Sequence, residues 1–510
     1  MLLAVVVALA LVVRLALARA STEANMDPDA AHFLNIARMF QTGHGFTNPA
    51  AWPAWMQPAS LPMPETFKEP GYPWLIARLG VGFATGQWIS LVSGTLLPLV
   101  TWLLARRRGL SVPASLLAAL LVAFSPLALL QSVRVMVDAV FALVVTTMFW
   151  LAARQAAPED TPRPLLRELA AGALFGVAYL LRAQTLILLV PLLVLLFERR
   201  QPVQALGRTA LVVAAAALVS APFWLRNLAL FHTPMYSDVV AYGLWPYVDH
   251  LTFSHGLEHP PAIAPFVLSH VPQVLAHMAH SSFDFFTHAL PEEIVGHAFW
   301  MLPLAAGVLV SLRAPESWRF AWLYLSITLV FIMAVHWDAR YFTSSVPLYC
   351  LLTASGAAVL WDRLANLTLV GPLKASTLLT AATAVVLLLQ VVQARRTLRG
   401  FVPPESAAAR KEAAFLRERL APGEAVLAVT TSYWSWFADR PSVHLILADE
   451  GRFDAAMRRL KVRWAALPTS RLAEFAARYP GGALPRSLVY DHADPLTDVT
   501  VFSVHPEAQP

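Results

Sequence analysis

Long apolar blocks with almost no charge recur along the first 400 residues of the chain. Blocks such as ALVVTTMFWLAA and TLLTAATAVVLLLQVV contain no charged residue at all. A run of about 20 apolar residues matches the hydrocarbon core of a bilayer, and in lipid such a run must be helical to satisfy its own backbone hydrogen bonds. The pattern therefore predicts an α-helical polytopic membrane protein that crosses the bilayer about eleven times.

The predicted spans are distributed over residues 1–400, which we treat as one transmembrane domain. Between the first two spans, the stretch YPWLIARLGVGF is too short to cross and predicts a helix at the membrane surface. The spans cover about residues 2–20, 86–105, 112–131, 135–153, 169–181, 184–197, 209–224, 297–312, 318–335, 341–360 and 374–393.

Arginines cluster in the loops on one side of these spans, for example at Arg106–Arg108 and at Arg199 and Arg200. Cytoplasmic loops carry such an excess of basic residues, so that side is predicted to face the cytoplasm. The loops of about residues 21–85 and 225–296 then lie outside. The tail that follows residue 400 is predicted to lie on the same outer side.

From about residue 401 the chain changes character, because charged residues mix with short apolar runs. AVLAVT, VHLIL, VRWAAL and SLVYD predict strands, while AAARKEAAFLRERL, DEGRFDAAMRRL and TSRLAEFAARY predict helices. Such alternation is typical of a small α/β domain with a mainly parallel sheet, which we predict for residues 401–510. The tail has no GxGxxG or P-loop sequence that would indicate a nucleotide.

Composition agrees with a membrane protein, since 57% of the 510 residues are hydrophobic, 14% are charged and the mean hydropathy is +0.56. The net charge of +6 would suit nucleic acid. Many basic residues, however, lie at span ends, where they set orientation and face lipid phosphates, so membrane lipids rather than nucleic acid are the expected partners. The single cysteine, Cys350, excludes an intrachain disulfide.

Two acids stand just outside the first span, in the stretch MDPDAAHFLNIARMFQTGHGF. Asp29 is predicted to cap a helix, because Phe33 and Ile36 follow it at helical spacing. Asp27 precedes it, and His32 lies in the same stretch. Spacing alone leaves open whether the two acids are solvated helix caps or take part in chemistry.

Further along, the stretch PETFKEPGYPWLIA contains a proline-bounded turn that holds Lys68 and Glu69 at the predicted outer surface. An outer lysine beside a bilayer could bind a phosphate or extend its amine to the interface. Asp138 stands at the outer start of a span. An acid at that depth is either a functional residue or a partner of the helix dipole.

Arg182, Arg226 and Arg340 lie at predicted outer span ends. A guanidinium there can clamp a lipid phosphate with its planar fork, or it can anchor the helix to headgroups. Spacing does not decide between the two for any of them.

One histidine run, His255-Gly256-Leu257-Glu258-His259, matches the H-x-x-E-H string of a group of zinc proteases. That string binds zinc on a helix, which brings both imidazoles to one face. Here a glycine lies inside the string and Pro260 and Pro261 follow it, which argues against a helix. A divalent metal is compatible with such a chain, but no cofactor is expected.

Taken in order, these motifs resemble the C-type integral-membrane glycosyltransferases, the superfamily of protein O-mannosyltransferases and of the aminoarabinose transferase acting on lipid A. The resemblance rests on DPDAAHFLNIARMFQTGHGF, KEPGYPWLIA, VMVDAVFALVV, GALFGVAYLLRAQTLILLVPLLVL, APFWLRNLALFHTPMYSD, ARYFTSSVPLYCLL and, in the tail, VLAVTTSYWSWFADRPSVHL. It runs along nearly the whole chain, and the order of the motifs is more specific than any one of them.

The resemblance implies an enzyme that moves a sugar from a polyprenyl-phosphate donor to a lipid or glycan acceptor at the outer face of the membrane, with inversion. It implies that Asp29 is the catalytic base and Asp138 the second acid. It matches Lys68 to the basic residue that helps hold the donor phosphate, and Arg182 and Arg340 to positions that recur in the family. With Arg226 at its outer span end, these are the residues predicted to bind the donor phosphate. Secondary contributions fall to Asp27, Glu69 and His32.

One residue departs from the pattern of the family. Ala30 follows Asp29 where the stricter mannosyltransferase motif has a glutamate. The departure argues against a protein acceptor and fits the broader bacterial group. The implied location is therefore the bacterial inner membrane, with the tail on the periplasmic side.

A transporter or lipid flippase is the main alternative from another class of protein. It would need polar residues within its spans, whereas here the acids gather at the predicted outer face. A membrane-bound assembly protein is a third reading, and it would not require Asp29, Lys68 and Asp138 to come together.

Overall fold

The computed structural model describes residues 1–51, 59–153, 165–198, 202–238, 247, 263–335, 337–364, 368–370, 373–401, 403–479 and 481–506. Internal contacts divide the chain into two compact units. The first comprises Met1–Ser21, Gln87–Tyr236 and Pro272–Gly400, and the second comprises Thr22–Gly86, Ser237–Val271 and Phe401–Pro510. The second unit thus combines parts of both predicted outer loops with the tail. The predicted domain boundary at residue 400 stays a prediction.

The first unit is mainly helical, and shorter helices accompany the sheet of the second. In chain order the α-helices are α1 (Leu2–Ala18), α2 (Pro28–Gln41), α3 (Gly71–Leu79), α4 (Phe83–Arg107), α5 (Val112–Phe124), α6 (Pro126–Val133), α7 (Asp138–Ala152), α8 (Leu165–Leu181), α9 (Leu189–Phe197), α10 (Pro202–Phe231), α11 (Ile263–Ser269), α12 (Val271–Asp284), α13 (Met301–Arg313), α14 (Pro315–Ala334), α15 (Val346–Leu364), α16 (Ala375–Gly400), α17 (Pro404–Arg419), α18 (Thr431–Ala438), α19 (Glu450–Arg459) and α20 (Leu472–Arg478).

Several helices are long and apolar enough to cross a bilayer, which confirms the multi-pass character. Within the described ranges, five qualify by length and composition, or up to seven if each of two bent pairs is one span. One bent pair is α5 and α6, at 53°, where Pro126 cannot continue the hydrogen-bond ladder. The helices α1 and α7 are apolar but shorter. The count of about eleven stays a prediction.

Glycines let two helix pairs of the first unit approach closely. A Cβ at Gly172 in α8 would collide with the backbone of Val212 in α10, and one at Gly307 in α13 would collide with the carbonyl of Leu352 in α15. Apolar burial gives little drive for association in lipid, so close contact at small residues is a usual means of packing spans.

The second unit is built on a six-stranded sheet in the order β2-β7-β6-β8-β10-β9. In chain order the strands are β1 (Thr47–Asn48), β2 (Ala50–Ala51), β3 (Met63–Pro64), β4 (Thr368–Val370), β5 (Leu373–Lys374), β6 (Ala425–Ala428), β7 (Ser442–His444), β8 (Val462–Pro468), β9 (Leu488–Asp494) and β10 (Val499–Val504). Two small antiparallel pairs, β1 with β3 and β4 with β5, lie outside this sheet.

The four predicted strands of the tail are present as β6 to β9, and among the described residues the sheet is mixed, with three parallel and two antiparallel strand pairs. β6 runs parallel to β7 and β8, whereas β10 is antiparallel to β8 and β9. The sequence reasoning missed β10, which follows β9 after a short turn and therefore pairs with it as a hairpin. The strand β2 comes from the first predicted loop and pairs in parallel with β7, so the tail alone does not form the sheet.

The predicted tail helices are present as α17, α19 and α20, and α18 is an additional one. Phe453 and Met457 of α19 and its C-terminal cap Leu460 recur at the spacing of one helical face. They are buried in a common core with Leu427 of β6 and Val462 of β8. This core fixes the side of the sheet on which α19 packs.

Candidate functional site

The helix α2, which carries the predicted base, is capped two residues earlier than the sequence reasoning placed its cap. Asp27, not Asp29, is the N-cap, and its Oδ1 accepts the backbone N–H of Asp29 at 2.9 Å. Pro28 occupies the first helical position, where its missing N–H has no consequence. The prediction that Asp29 caps the helix was therefore wrong, and the Asp29 carboxylate, in the first turn, is directed to another partner.

That partner is Lys68. The Nζ of Lys68 lies 2.7 Å from Oδ1 of Asp29, and the side chains are 13% and 21% exposed. The same amine lies 5.4 Å from the ring centre of Phe33 and 4.7 Å from that of Phe67, close enough for cation–π attraction. Two residues that are 39 positions apart, and that the sequence singled out separately, are thus brought together.

Glu65, which the sequence reasoning missed, lies behind this pair. Its side chain is 3% exposed, and its Oε1 accepts the backbone N–H groups of Phe67 at 2.6 Å and Lys68 at 2.8 Å. Its Oε2 lies 2.8 Å from Nε2 of His32 and accepts from Nδ2 of Asn48 at 2.8 Å. The only signal in the sequence was an acid three residues before Lys68.

Burial opposes ionisation of the Glu65 carboxyl. The facing His32 and the backbone N–H groups of Lys68 and Phe67 outweigh burial, and they lower the pKa of Glu65 to about 2. The buried group is therefore an anion at neutral pH. Glu69 is half-buried and follows Lys68 in the same turn.

Asp138 and Arg182 form a second acid–base pair, which belongs to the first unit. Asp138 is the first residue of α7 and is 2% exposed. Arg182 directly follows α8, and its Nη2 donates to Oδ1 of Asp138 at 2.6 Å. The other carboxylate oxygen of Asp138 is buried with no hydrogen-bond partner among the described residues.

Arg182 is also close to the predicted Arg340. Both contact Tyr341, whose ring centre lies 5.3 Å from the guanidinium carbon of Arg182 and 5.4 Å from that of Arg340. Asp338 accepts the backbone N–H of Arg340 at 2.9 Å and lies 3.2 Å from its Nε. Two guanidinium groups therefore lie close to one aromatic ring.

Arg226 has a different setting. It lies within α10, where its Nη1 donates to Asn227 at 2.7 Å and its guanidinium carbon lies 5.3 Å from the ring centre of Phe231. These contacts belong to its own helix.

The helix α2 is held in the second unit by α18 of the tail. Asn35 is fully buried and donates to the carbonyl oxygen of Ser432 at 2.8 Å. Arg38 pairs with Asp439 at 2.6 Å and stacks 4.4 Å above the ring centre of Trp436. The helix that carries Asp29 and His32 is thereby fixed by a segment about 400 positions away in the chain.

No group of three or more His, Cys, Asp or Glu side chains in the described part of the chain is placed to hold a metal ion. The string His255–His259 lies outside the described residues.

A cavity of about 170 Å³ lies in the second unit and includes Glu405, Trp434, Arg471 and Asp498 in its wall. Burial raises the pKa of the Glu405 carboxyl. None of the predicted site residues lines this cavity.

Comparison with known proteins gives three findings. Residues 68–225 match the family model of the dolichyl-phosphate-mannose-protein mannosyltransferases, a range that begins at Lys68 and contains Asp138 and Arg182. Among curated protein sequences, none matches the chain. The third finding concerns solved structures, which match along nearly the whole chain.

The archaeal oligosaccharyltransferase AglB from Archaeoglobus fulgidus, in complex with an inhibitory peptide and a dolichol-phosphate, matches with a TM-score of 0.63 and 14% identity over 99% of this chain and 74% of AglB. ArnT from Cupriavidus metallidurans, bound to undecaprenyl phosphate, matches with a TM-score of 0.59 and 17% identity over 98% of this chain and 97% of ArnT. The chain has the C-type membrane glycosyltransferase fold. A second matching structure, of the Archaeoglobus fulgidus oligosaccharyltransferase, is a complex with zinc and sulfate.

Proposed function

We propose that this chain is a glycosyltransferase that moves a sugar from a polyprenyl-phosphate donor to a lipid or glycan acceptor at the outer face of the membrane. The observation that carries the proposal is the pair of Asp29 and Lys68 in a chain of C-type fold, with Nζ and Oδ1 2.7 Å apart. In this pair an acid of α2 and a base of the turn around Lys68, each partly exposed, are in direct contact.

The acid suits the task of a general base. An acceptor hydroxyl must lose its proton as it attacks the anomeric carbon of the sugar, and a carboxylate within hydrogen-bond reach can take that proton. Asp29 remains 21% exposed, so an acceptor can approach it. Attack from the face opposite the phosphate inverts the anomeric centre. Asp27 supports this role by fixing the start of α2.

The lysine suits the leaving group. As the bond from sugar to phosphate breaks, negative charge grows on the lipid phosphate, and a fixed cation stabilises that charge. A donor phosphate would compete with Asp29 for the amine of Lys68. Donor binding would then loosen the ion pair and leave the Asp29 carboxylate able to accept a proton.

Arg182 and Arg340 are proposed to bind a lipid phosphate, because two guanidinium groups beside Tyr341 offer planar donor forks. Asp138 would hold Arg182 in place through their ion pair. Arg226 is proposed as an additional cation for the lipid phosphate, and His32 and Glu69 as supports of the Lys68 turn. A phosphate that several cations neutralise does not need a bound metal to leave.

The acceptor and the location are further parts of the proposal. Ala30 after Asp29 favours a lipid or glycan acceptor over a protein, and AglB and ArnT were solved with dolichol-phosphate and undecaprenyl phosphate respectively. We propose that the chain acts in the bacterial inner membrane, with residues 401–510 on the periplasmic side.

The test is a transfer assay on purified protein in lipid nanodiscs, with radiolabelled sugars on undecaprenyl phosphate as donors and a bacterial lipid extract as the acceptor. Asp29→Asn and Asp29→Ala should each lower the rate by at least about 100-fold. Lys411→Ala is the matched control, because Lys411 and Asp494 form an ion pair of 2.6 Å in the same unit. Full activity of both Asp29 variants would refute the base assignment.

A further inference from the structure

We propose that Glu65 is a positioning residue that holds Lys68 against Asp29, an inference that rests on the proposed function for its catalytic meaning. The two carboxylate oxygens of Glu65 serve two different segments of the chain. Oε1 accepts the backbone N–H groups of Phe67 and Lys68. Oε2 faces Nε2 of His32 on α2 and accepts from Asn48.

The position of His32 makes this bridge specific for the Asp29–Lys68 pair. His32 follows Asp29 by three residues on α2, so both side chains project from the same face of the helix. One carboxylate therefore connects the backbone of Lys68 with the helix face that carries Asp29. The ring of His32 also stacks on Phe67, with centroids 6.1 Å apart, and the Phe67 ring lies beneath the Lys68 amine.

The bridge requires an anion. The backbone N–H groups of Phe67 and Lys68, Nδ2 of Asn48 and, when it carries its hydrogen, Nε2 of His32 all present protons to Glu65. A carboxylate accepts at both of its oxygens. A glutamine could still accept the two backbone N–H groups with its oxygen. Its amide nitrogen would then face His32 and Asn48 as a donor against donors, so Glu65→Gln releases the α2 side of the bridge.

The segment around Glu65 has other restraints, which make the effect of this substitution local. Thr47 and Asn48 of β1 pair with Pro64 and Met63 of β3. The hydroxyl of Thr66 donates to the Asp238 carboxylate, and the backbone N–H of Asp238 donates to the Thr66 carbonyl at 2.9 Å. Thr66→Val removes the hydroxyl bond from the neighbouring residue and leaves every contact of Glu65, so it is the matched control.

The test measures lysine reactivity in the full-length protein in nanodiscs. The chain has four lysines, Lys68, Lys374, Lys411 and Lys461, and mass spectrometry after timed acylation gives a rate for each. Glu65→Gln should raise the rate at Lys68 by about five-fold or more and leave Lys411 and Lys461 within two-fold. Thr66→Val should change the Lys68 rate by less than two-fold. An unchanged Lys68 rate in Glu65→Gln, or a rise shared by Lys411 and Lys461, would overturn the inference.

A second readout, binding of undecaprenyl phosphate, separates this inference from the proposed function. Glu65→Gln should weaken binding about ten-fold, and the double variant with Lys68→Ala should bind no more weakly than Lys68→Ala alone, because Glu65 acts through Lys68. Multiplicative losses would overturn the positioning role. If the parent protein and Lys68→Ala bind equally, the phosphate role of Lys68 fails, whereas a selective rise in Lys68 reactivity would still support the positioning.

Discussion

The two acid–base pairs of the chain have nearly the same geometry but opposite surroundings. Asp29 with Lys68 and Asp138 with Arg182 each place an acid in the first turn of a helix, with oxygen and nitrogen 2.7 and 2.6 Å apart. Asp29 is 21% exposed, whereas Asp138 is 2% exposed. The partly exposed acid can exchange a proton with an acceptor, whereas the buried acid is held by its ion pair with Arg182.

The difference teaches that distance alone does not assign a role to such a pair. A buried carboxylate stripped of its partner keeps its desolvation penalty. A partly exposed carboxylate regains water instead. The Asp138 pair should therefore affect stability most, and the Asp29 pair should affect chemistry most.

Arg182→Ala should lower the free energy of unfolding more than any other substitution in either pair. It leaves the Asp138 carboxylate buried without its partner, which costs about 3–5 kcal/mol of stability. Asp29→Asn should cost less than about 1 kcal/mol. Unfolding of both variants in detergent, followed by tryptophan fluorescence, checks the contrast, and equal losses would remove the proposed distinction between the pairs.

The ionisation of Glu65 should make the stability of the second unit dependent on pH. Because the pKa of Glu65 is lowered on folding from 4.5 to about 2, the charged group stabilises the fold above pH 4.5, and this contribution disappears as the pH falls towards 2. The shift corresponds to about 3 kcal/mol. Glu65→Gln should flatten the fall in the unfolding free energy between pH 5 and pH 3 relative to the parent protein. Parallel pH profiles would contradict the lowered pKa.

Asn35→Ala should weaken the attachment of α2 to α18. It leaves the carbonyl of Ser432 without its buried donor, at a cost of about 1–3 kcal/mol. Hydrogen exchange at α2 should increase, while exchange at the buried strand β6 should stay slow. The substitution Asn35→Asp tests the donor itself, since the replacement has no N–H₂ group, and full protection of α2 in that variant would speak against the bond.

Lys411→Ala should have the smallest effect. The lysine is 50% exposed, and without its amine the Asp494 carboxylate still accepts from the Thr497 hydroxyl and from the backbone N–H of Leu496. The midpoint of chemical unfolding of the Lys411→Ala protein should stay close to that of the parent protein. Added salt should change the difference between the two little. A loss as large as that of Arg182→Ala would show that exposure does not separate the pairs.

Local sequence patterns predicted much of the fold. Apolar length predicted the multi-pass character, because a bilayer imposes one thickness on every span. Alternating apolar runs predicted β6 to β9, and the spacing of Phe33 and Ile36 predicted α2. The cap was misplaced by two residues because Asp27 and Asp29 are equally good caps by residue type, and only the backbone conformation distinguishes them.

The sequence by itself determined which residues could carry chemistry, since Asp29, Lys68, Asp138, Arg182 and Arg340 stand out as charges beside apolar spans. Only the tertiary structure decided that Asp29 meets Lys68 and that Asp138 meets Arg182. It alone revealed the buried Glu65 and the pairing of β2 with β7, because these contacts join segments far apart in the chain. Hydropathy and helical period act over a few residues, whereas such pairings depend on how whole elements pack.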